Sequence, residues 1–384
     1  MDITVGPWGA RPTEAPVPAE ASSAERDGRF ACENCGAILS FAPGTEQLTC
    51  SYCGHVNAIR GSAEAVVEQD LDDMLARGEA AEPPAEPIAT RCSGCGAGVT
   101  LKAPLHAGPC PFCGTPVVAE PEGAIRPVGL LPFLIGEANA RERITGWLKR
   151  LWFAPSDVAK KARGRDVLHG TYVPFFTFDS RTETRFQGLR GDVYYETVRV
   201  PVVVNGRRTT QLQQVPKVRW RPVSGEVARH FDDVLVPAST TVSPSLIDRL
   251  RRFDLPEMRP YQPDFLAGFE SERFQVALPD AFERARAVMR GVIQGDIRAR
   301  IGGDMQKITA MDTRYAERTY KLVLLPIWRA DLRFMGRLYR VIVNGRTGEV
   351  VGERPYSLAK IVLAVLMAAV ALGGLLVLGN VLSA

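Results

Sequence analysis

The sequence predicts an α+β body preceded by two small four-cysteine zinc ribbons and followed by one transmembrane helix, and three observations predict it. Eight cysteines fall into four copies of Cys-x-x-Cys-Gly near the start of the chain. A stretch free of charge and of strongly polar side chains, Ile361 to Gly379, stands close to the C-terminus. Between the two, segments of helical period interleave with hairpin signals, which is the pattern of an α+β domain.

The cysteines make two units of identical spacing. Cys32, Cys35, Cys50 and Cys53 form the first and Cys92, Cys95, Cys110 and Cys113 the second, each shifted from its counterpart by 60 residues. Thiolates two residues apart point at one ion, and two such pairs complete a tetrahedral shell at about 2.3 Å per Zn–S bond. The expected cofactors are therefore two structural Zn²⁺ ions, in zinc ribbons at 29–60 and 91–120. A closed shell of four thiolates leaves no open coordination position for catalysis. In units this small the metal replaces a missing hydrophobic core. Gly36, Gly54, Gly96 and Gly114 follow the four pairs, where a knuckle that turns N–H groups toward sulfur needs a positive φ. A disulfide framework is the competing reading. It belongs to oxidising compartments, and the opening stretch from Met1 to Gly28 has no apolar signal-peptide core. His55 and His106 are surplus to the ligand count and are assigned to surface or packing roles.

The apolar stretch predicts a membrane-spanning helix at 358–382, since about 20 residues at 1.5 Å each cross a core of about 30 Å. Arg346, Arg354 and Lys360 precede it and no basic residue follows. The positive-inside rule then gives a tail-anchored protein of the cytoplasmic membrane, single-pass, with its N-terminal body in the cytoplasm. Ala364/Ala368 and Ala369/Gly373 are small-x-x-x-small pairs of the kind that lets helices pack closely.

Charge divides the chain. Met1 to Ile125 holds 7 Lys and Arg against 17 Asp and Glu, a net of −10, whereas the remainder holds 40 against 26, a net of +14. Ribbons that grip phosphate would carry the basic residues themselves. The positive body instead adjoins the expected anchor, where anionic headgroups attract Lys and Arg.

Along the chain, 1–28 reads as a disordered arm and 61–90 as a helix followed by a Pro/Glu linker. Within the latter, Ala63 to Arg77 places Ala65, Val66, Leu71, Met74 and Leu75 on one stripe, best explained by packing within the protein. The basic α+β domain spans 126–356. Glu137 to Trp152 sets Ile144, Trp147, Leu148 and Leu151 at helical spacing. Ser243-Pro244 supplies a cap and an N1 proline ahead of a helix from Ser245 to Phe253. Pro279 to Ile301 reads as a longer helix. Val198 to Val204 and Thr209 to Val215 flank Asn205-Gly206, a type I′ hairpin signal. Strands are expected at Tyr320 to Ala330, Arg333 to Val343 and Glu349 to Val351.

No phosphate-binding Gly-x-x-x-x-Gly-Lys-Ser/Thr loop, Gly-x-Ser-x-Gly elbow or His-Glu-x-x-His helix occurs, so no catalytic residue is assigned. The run from His169 to Asp179 joins a histidine and a carboxylate to Tyr172, Phe175, Phe176 and Phe178. It reads as a buried strand ahead of a substrate pocket. Lys217 to Arg221 (Lys-Val-Arg-Trp-Arg) has the composition of a single-stranded nucleic-acid contact and equally of an exposed sheet face.

These residues also resemble a known family. The paired ribbons, Val66-Val-Glu-Gln-Asp-Leu71, Leu130-Leu-Pro-Phe133, Trp147 with Trp152-Phe-Ala-Pro155, and Gly170-Thr-Tyr-Val-Pro-Phe-Phe176 resemble bacterial membrane-anchored double zinc-ribbon (TFIIB-type zinc-ribbon-containing) proteins. The most specific piece is the close of the body from Tyr339 to Ser357. The resemblance implies a scaffold beside phage-shock-protein-A-like or flotillin-like partners in envelope-stress response. Members often carry the label primosomal protein N′ (replication factor Y), a helicase name that a chain without a phosphate-binding loop does not fit. Some relatives have two apolar spans where this chain has one.

Two functional expectations result. The first is a membrane adaptor whose ribbons recruit cytosolic proteins, and the second is a nucleic-acid-binding protein held at the membrane by the same tail. The acidic balance of Met1 to Ile125, the part that holds the ribbons, favours the first. No enzymatic activity is assigned, although a body of this size has room for one.

Overall fold

The structure, a computed structural model, describes residues 30–59, 65–78, 83, 86–119, 123–152, 168–204, 207–250, 253–334, 337–354 and 356–383. The arm at 1–28 and the Asn205-Gly206 turn lie outside these residues, as does part of the Pro/Glu linker.

Ribbon 1 is a three-stranded antiparallel sheet of β1 (Leu39–Phe41), β2 (Gln47–Cys50) and β3 (Val56–Ala58). After it, β4 (Gln69–Asp70) leads into α1 (Leu71–Ala76). The helix is shorter than the expected 63–77 because Asp70 caps it, its carboxylate accepting from the Asp73 amide at 2.8 Å. Ribbon 2 pairs β5 (Ile88–Arg91) with β6 (Gly98–Leu101), and its second half is β7 (Leu105–Pro109) with β8 (Pro116–Val118).

The body follows with β9 (Gly129–Leu130) and α2 (Glu137–Arg150), then three very long strands. These are β10 (Leu168–Val204, 37 residues), β11 (Arg207–Pro237, 31 residues) and, later, β14 (Met305–Phe334, 30 residues). Between β11 and β14 lie α3 (Pro244–Ile247), β12 (Arg259–Pro260), β13 (Glu270–Glu272) and α4 (Leu278–Ile301). The chain closes with β15 (Arg337–Asn344), β16 (Val350–Gly352) and α5 (Leu358–Ser383). Strand β10 is central, antiparallel to β11 from Phe175↔Pro237 outward and to β14 from Leu168↔Ala330 to Gly191↔Met305.

The expected α+β class is thereby corrected: the body is mostly β sheet. The strands expected at 198–204, 209–215, 320–330, 333–343 and 349–351 fall on β10, β11, β14, β15 and β16, but the reach of the three long ones escaped notice because their solvent face is charged. From Arg181 to Gly188, exposed and buried residues alternate, with Thr182, Thr184 and Phe186 inward and pairs such as Arg185–Glu226 outward. The helix expected after Pro244 is only one turn long. By contrast α4 matches its expected span and presents Ala281, Phe282, Ala285, Met289, Ile293, Ile297 and Ile301 as one buried stripe onto Phe176, Phe178 and Phe186 of β10.

The expected transmembrane helix at 358–382 and the single-pass membrane localisation are corrected as well. Among the described residues no helix is long and apolar enough to cross a membrane.

Ribbon 1 shares a core with the body. Phe41 packs edge-on to Phe265 at 5.3 Å between centroids and lies 6.3 Å from Phe269. Its amide donates to the Ala267 carbonyl at 3.0 Å, and the Gly44 amide to that of Phe133 at 2.8 Å. Phe133 in turn stacks on Phe269 at 4.3 Å and meets Tyr172 and Trp328 edge-on. Ribbon 2 is attached by backbone, β7 pairing with β13, which pairs in parallel with β10. Phe133 is fully buried, so Phe133→Ala should cost about 3–5 kcal/mol in urea unfolding and loosen ribbon 1 before ribbon 2.

Candidate metal centres

In each ribbon the turns bring four sulfurs together. Cys32 Sγ lies 3.6 Å from Cys53 Sγ, and Cys35 Sγ lies 3.6 Å from Cys50 Sγ. In the second ribbon Cys92–Cys113 is 3.5 Å and Cys95–Cys110 is 3.9 Å. The edge of a sulfur tetrahedron with bonds of about 2.3 Å is about 3.8 Å. A disulfide would require about 2.05 Å. The two four-cysteine clusters therefore fit two structural zinc ions.

The backbone is shaped for this purpose. Gly36, Gly54, Gly96 and Gly114 have φ of 70°, 71°, 73° and 76°, a region that an L side chain rarely enters. Their amides close the knuckles onto the carbonyls of Cys32, Cys50, Cys92 and Cys110 at 2.8 to 3.0 Å. In each ribbon one cysteine of every pair is buried and the other exposed. The thiols share protons unevenly. The His55 amide, and then Cys35, pull Cys53 down to about 6. At Cys35 the Ala37 amide pulls the other way but is outweighed by Cys53, burial and the remaining thiols, and that thiol is pushed up to about 12. In ribbon 2 the Thr115 hydroxyl and amide draw Cys113 down to about 6. Metal binding replaces these protons, so acid works against it.

The other sequence-predicted residues separate cleanly from the sulfurs. His55 is exposed. His106 is buried beneath Arg273, and burial followed by the nearby guanidinium pushes it down to about 4, which keeps the ring neutral. Tyr172, Phe175, Phe176 and Phe178 are fully buried in β10 and form core, while His169 of the same strand is exposed.

Sequence reasoning missed one pair. Tyr52 and Phe112 occupy the same place in the two ribbons, immediately before Cys53 and Cys113, and are 85% and 72% exposed. The signal was the 60-residue repeat itself, which places an aromatic at that position twice. Also missed was the depth of the hairpin made by β10 and β11, which runs past the end of β14. It exposes Tyr195, Leu212 and Trp220, and Arg219 lies over the Tyr194 ring at 5.1 Å. Lys217 to Arg221 belongs to it.

With this geometry in view, comparison with known proteins gives one informative match. The chain is similar to the Uncharacterized protein YdjG of Bacillus subtilis (strain 168). The two are 25% identical over 339 residues, which cover 86% of this chain and 91% of that protein. No family model matches the chain, and no solved structure matches it. The phage-shock and primosomal labels thus rest on the resemblance alone.

Replacing Cys32 and Cys35 with Ser should lower bound zinc from two ions per chain to one, measured by metal analysis, with the α4 core intact by circular dichroism. Unchanged zinc content would contradict the assignment.

Proposed function

We propose that the protein is an adaptor whose two structural zinc ribbons recruit a protein partner. The observation that carries this reading is the exposure of Tyr52 and Phe112 at equivalent knuckles. Each ring stands in solvent on a loop fixed by a metal site, and rigid exposed aromatics are the residue class that anchors protein interfaces. Another part of each ribbon is held by the body: ribbon 1 shares the body's core and ribbon 2 is paired to β13. The ribbons at 29–60 and 91–120 are close to neutral, with two Lys and Arg against two Asp and Glu in the first and two against one in the second, so they lack the excess of basic residues that phosphate contacts need. The acidic charge lies between them, where 61–90 holds one Arg against eight Asp and Glu, which favours a partner with a basic, apolar-lined surface. Phage-shock-protein-A-like or flotillin-like proteins are the partners that the family resemblance points to.

The double variant Tyr52→Ser/Phe112→Ser should weaken binding of a purified phage-shock-protein-A-like or flotillin-like protein at least about tenfold, roughly 1.4 kcal/mol, in a calorimetric titration. Zinc content should stay at two per chain. Unchanged affinity would overturn the role of the knuckles, and no binding of either protein to the unmodified chain would overturn the choice of partner.

A second reading rests on the projecting hairpin. From Arg190 to Arg221 it holds seven Lys and Arg against Asp192 and Glu196, with Tyr195 and Trp220 exposed, a composition suited to stacking single-stranded bases. On this reading a labelled oligonucleotide binds in a salt-dependent manner, and Trp220→Ala weakens it by about 1–3 kcal/mol. Absence of binding at low salt would remove the reading.

A further inference from the structure

Two described residues other than glycine have positive φ, Asp233 at 52° and Glu317 at 51°, and they sit at one level of the sheet. There β11 carries Asp232 and Asp233 where β10 has only Asp179, between the pairs Phe178↔Val234 and Ser180↔Phe231. On the other side β14 carries Glu317 and Arg318 opposite Ser180, between Asp179↔Thr319 and Arg181↔Ala316. Strands β11 and β14 thus bulge at one level on either side of β10, and strained backbone of this kind persists where the surrounding contacts hold it.

The segment between the ribbons docks at this bulge. Its strand β4 pairs with β14 at Thr319↔Asp70 and Tyr320↔Gln69, and Tyr320 donates its hydroxyl to Gln69 Oε1 at 2.6 Å. Leu71 is fully buried and Met74 nearly so. Beside them Thr319 Oγ1 lies 2.9 Å from Glu68 Oε2 and 3.3 Å from Asp179 Oδ2. One hydroxyl has one proton to donate. The buried Lys321 ammonium is 2.8 Å from Asp233 Oδ1 and 3.2 Å from Glu68 Oε1, and the Asp233 amide donates to Asp179 Oδ1 at 2.5 Å.

The charged groups around Asp179 come from every element packed there. The docked segment brings Glu68, Asp72 and Arg77. Strand β10 brings Arg181, β11 brings Asp232 and Asp233, and β14 brings Glu317, Arg318 and Lys321. Asp72 takes Arg318 and Glu317 takes Arg181, while Arg77 faces Tyr320 and Asp232 is exposed. Lys321 is left as the cation for Glu68, Asp179 and Asp233. Three carboxylates against one ammonium in a partly buried site favour keeping one proton.

We propose that this cluster is a proton-operated clasp, in which a proton held between Asp179 and Glu68 fixes the inter-ribbon segment to the body and its loss loosens that segment. Burial and the Glu68 carboxylate, against the pull of the Asp233 amide, push Asp179 up to about 6. Glu68, although partly buried, is held below its ordinary range by hydrogen bonds from Asp179 and Thr319 and by Lys321, so the proton resides on Asp179. A raised pKa in the docked state means docking is strongest below the ordinary carboxylate range. It weakens as pH rises toward about 6 and levels off above. Glu68 acts in the opposite sense only in stronger acid, where its own protonation removes the partner of Lys321. Opening the clasp frees the segment while each ribbon keeps its separate attachment to the body, so the inference does not depend on the adaptor reading.

The test is hydrogen–deuterium exchange on the full-length, zinc-loaded protein at pH 5 and pH 7, corrected for intrinsic rates, with α4 peptides as reference. Protection of Gln69 to Ala76 should fall several-fold at the higher pH while α4 stays constant. Asp179→Asn should keep the segment protected at both values. Glu68→Gln, on an exposed side chain that tolerates the change, should abolish the pH dependence even where the Asp179 variant fails to fold. Equal protection at both pH values in the unmodified protein, or a pH dependence that survives Glu68→Gln, would overturn the proposal.

Discussion

Strand β10 is the element on which the remaining structure depends. It is hydrogen-bonded on one side to β14 along 23 registered pairs that end at Gly191 and on the other first to β13 and then to β11, so up to Gly191 most of its backbone polar groups are paired within the sheet. Both ribbons and the segment between them are attached to it through one neighbour. Ribbon 1 reaches it through Phe41 and the Phe133–Tyr172–Phe269 group, ribbon 2 through β7 and β13, and the inter-ribbon segment through β14. Helix α4 covers one face with a single apolar stripe. On the opposite face Val173 and Phe175 pack into a further core with Leu246, Leu250 and Ile342, and from Arg181 to Gln187 that face is solvated, as an antiparallel sheet allows.

That dependence explains how two units too small to fold on their own apolar content can be held rigidly. Metal closes each ribbon at one end. At the other end, ribbon 1 contributes Phe30, Leu39, Phe41 and Leu48 to a body core, and ribbon 2 keeps a small cluster of its own around Val99, Leu101 and Val117 while borrowing a strand edge. Rigidity of this sort leaves the second knuckle of each ribbon in solvent with an aromatic at its tip. The backbone that carries those side chains is thereby already ordered by the fold.

The metal sites were legible in the sequence and most of the body was not, for physical reasons. Ligand spacing is local: two residues within a pair and a short hairpin between pairs determine the tetrahedron, and the four glycines mark the turns. Helix α4 was equally plain, because its apolar residues recur at helical period. The long strands were legible only in part, at 198–204, 209–215 and 320–330, and their reach was hidden by their own solvent face. Arg181, Glu183, Arg185 and Gln187 alternate with Thr182, Thr184 and Phe186, and threonines carry less apolar contrast than the Leu and Val that usually announce a strand. Asp179, Asp233 and Glu68 are 54 to 165 residues apart in sequence, so no local pattern brings them together. The apolar C-terminal stretch was read by length and composition, whereas among the described residues no helix is long and apolar enough to cross a membrane.

The account turns on two sulfur tetrahedra at the ends of ribbons fixed to one sheet, and X-ray absorption at the zinc edge on the full-length protein tests it most directly. Two zinc ions per chain, each with four sulfurs at about 2.3 Å and no nitrogen or oxygen shell, is the predicted result. A single ion per chain, or a first shell containing histidine or water, would contradict it.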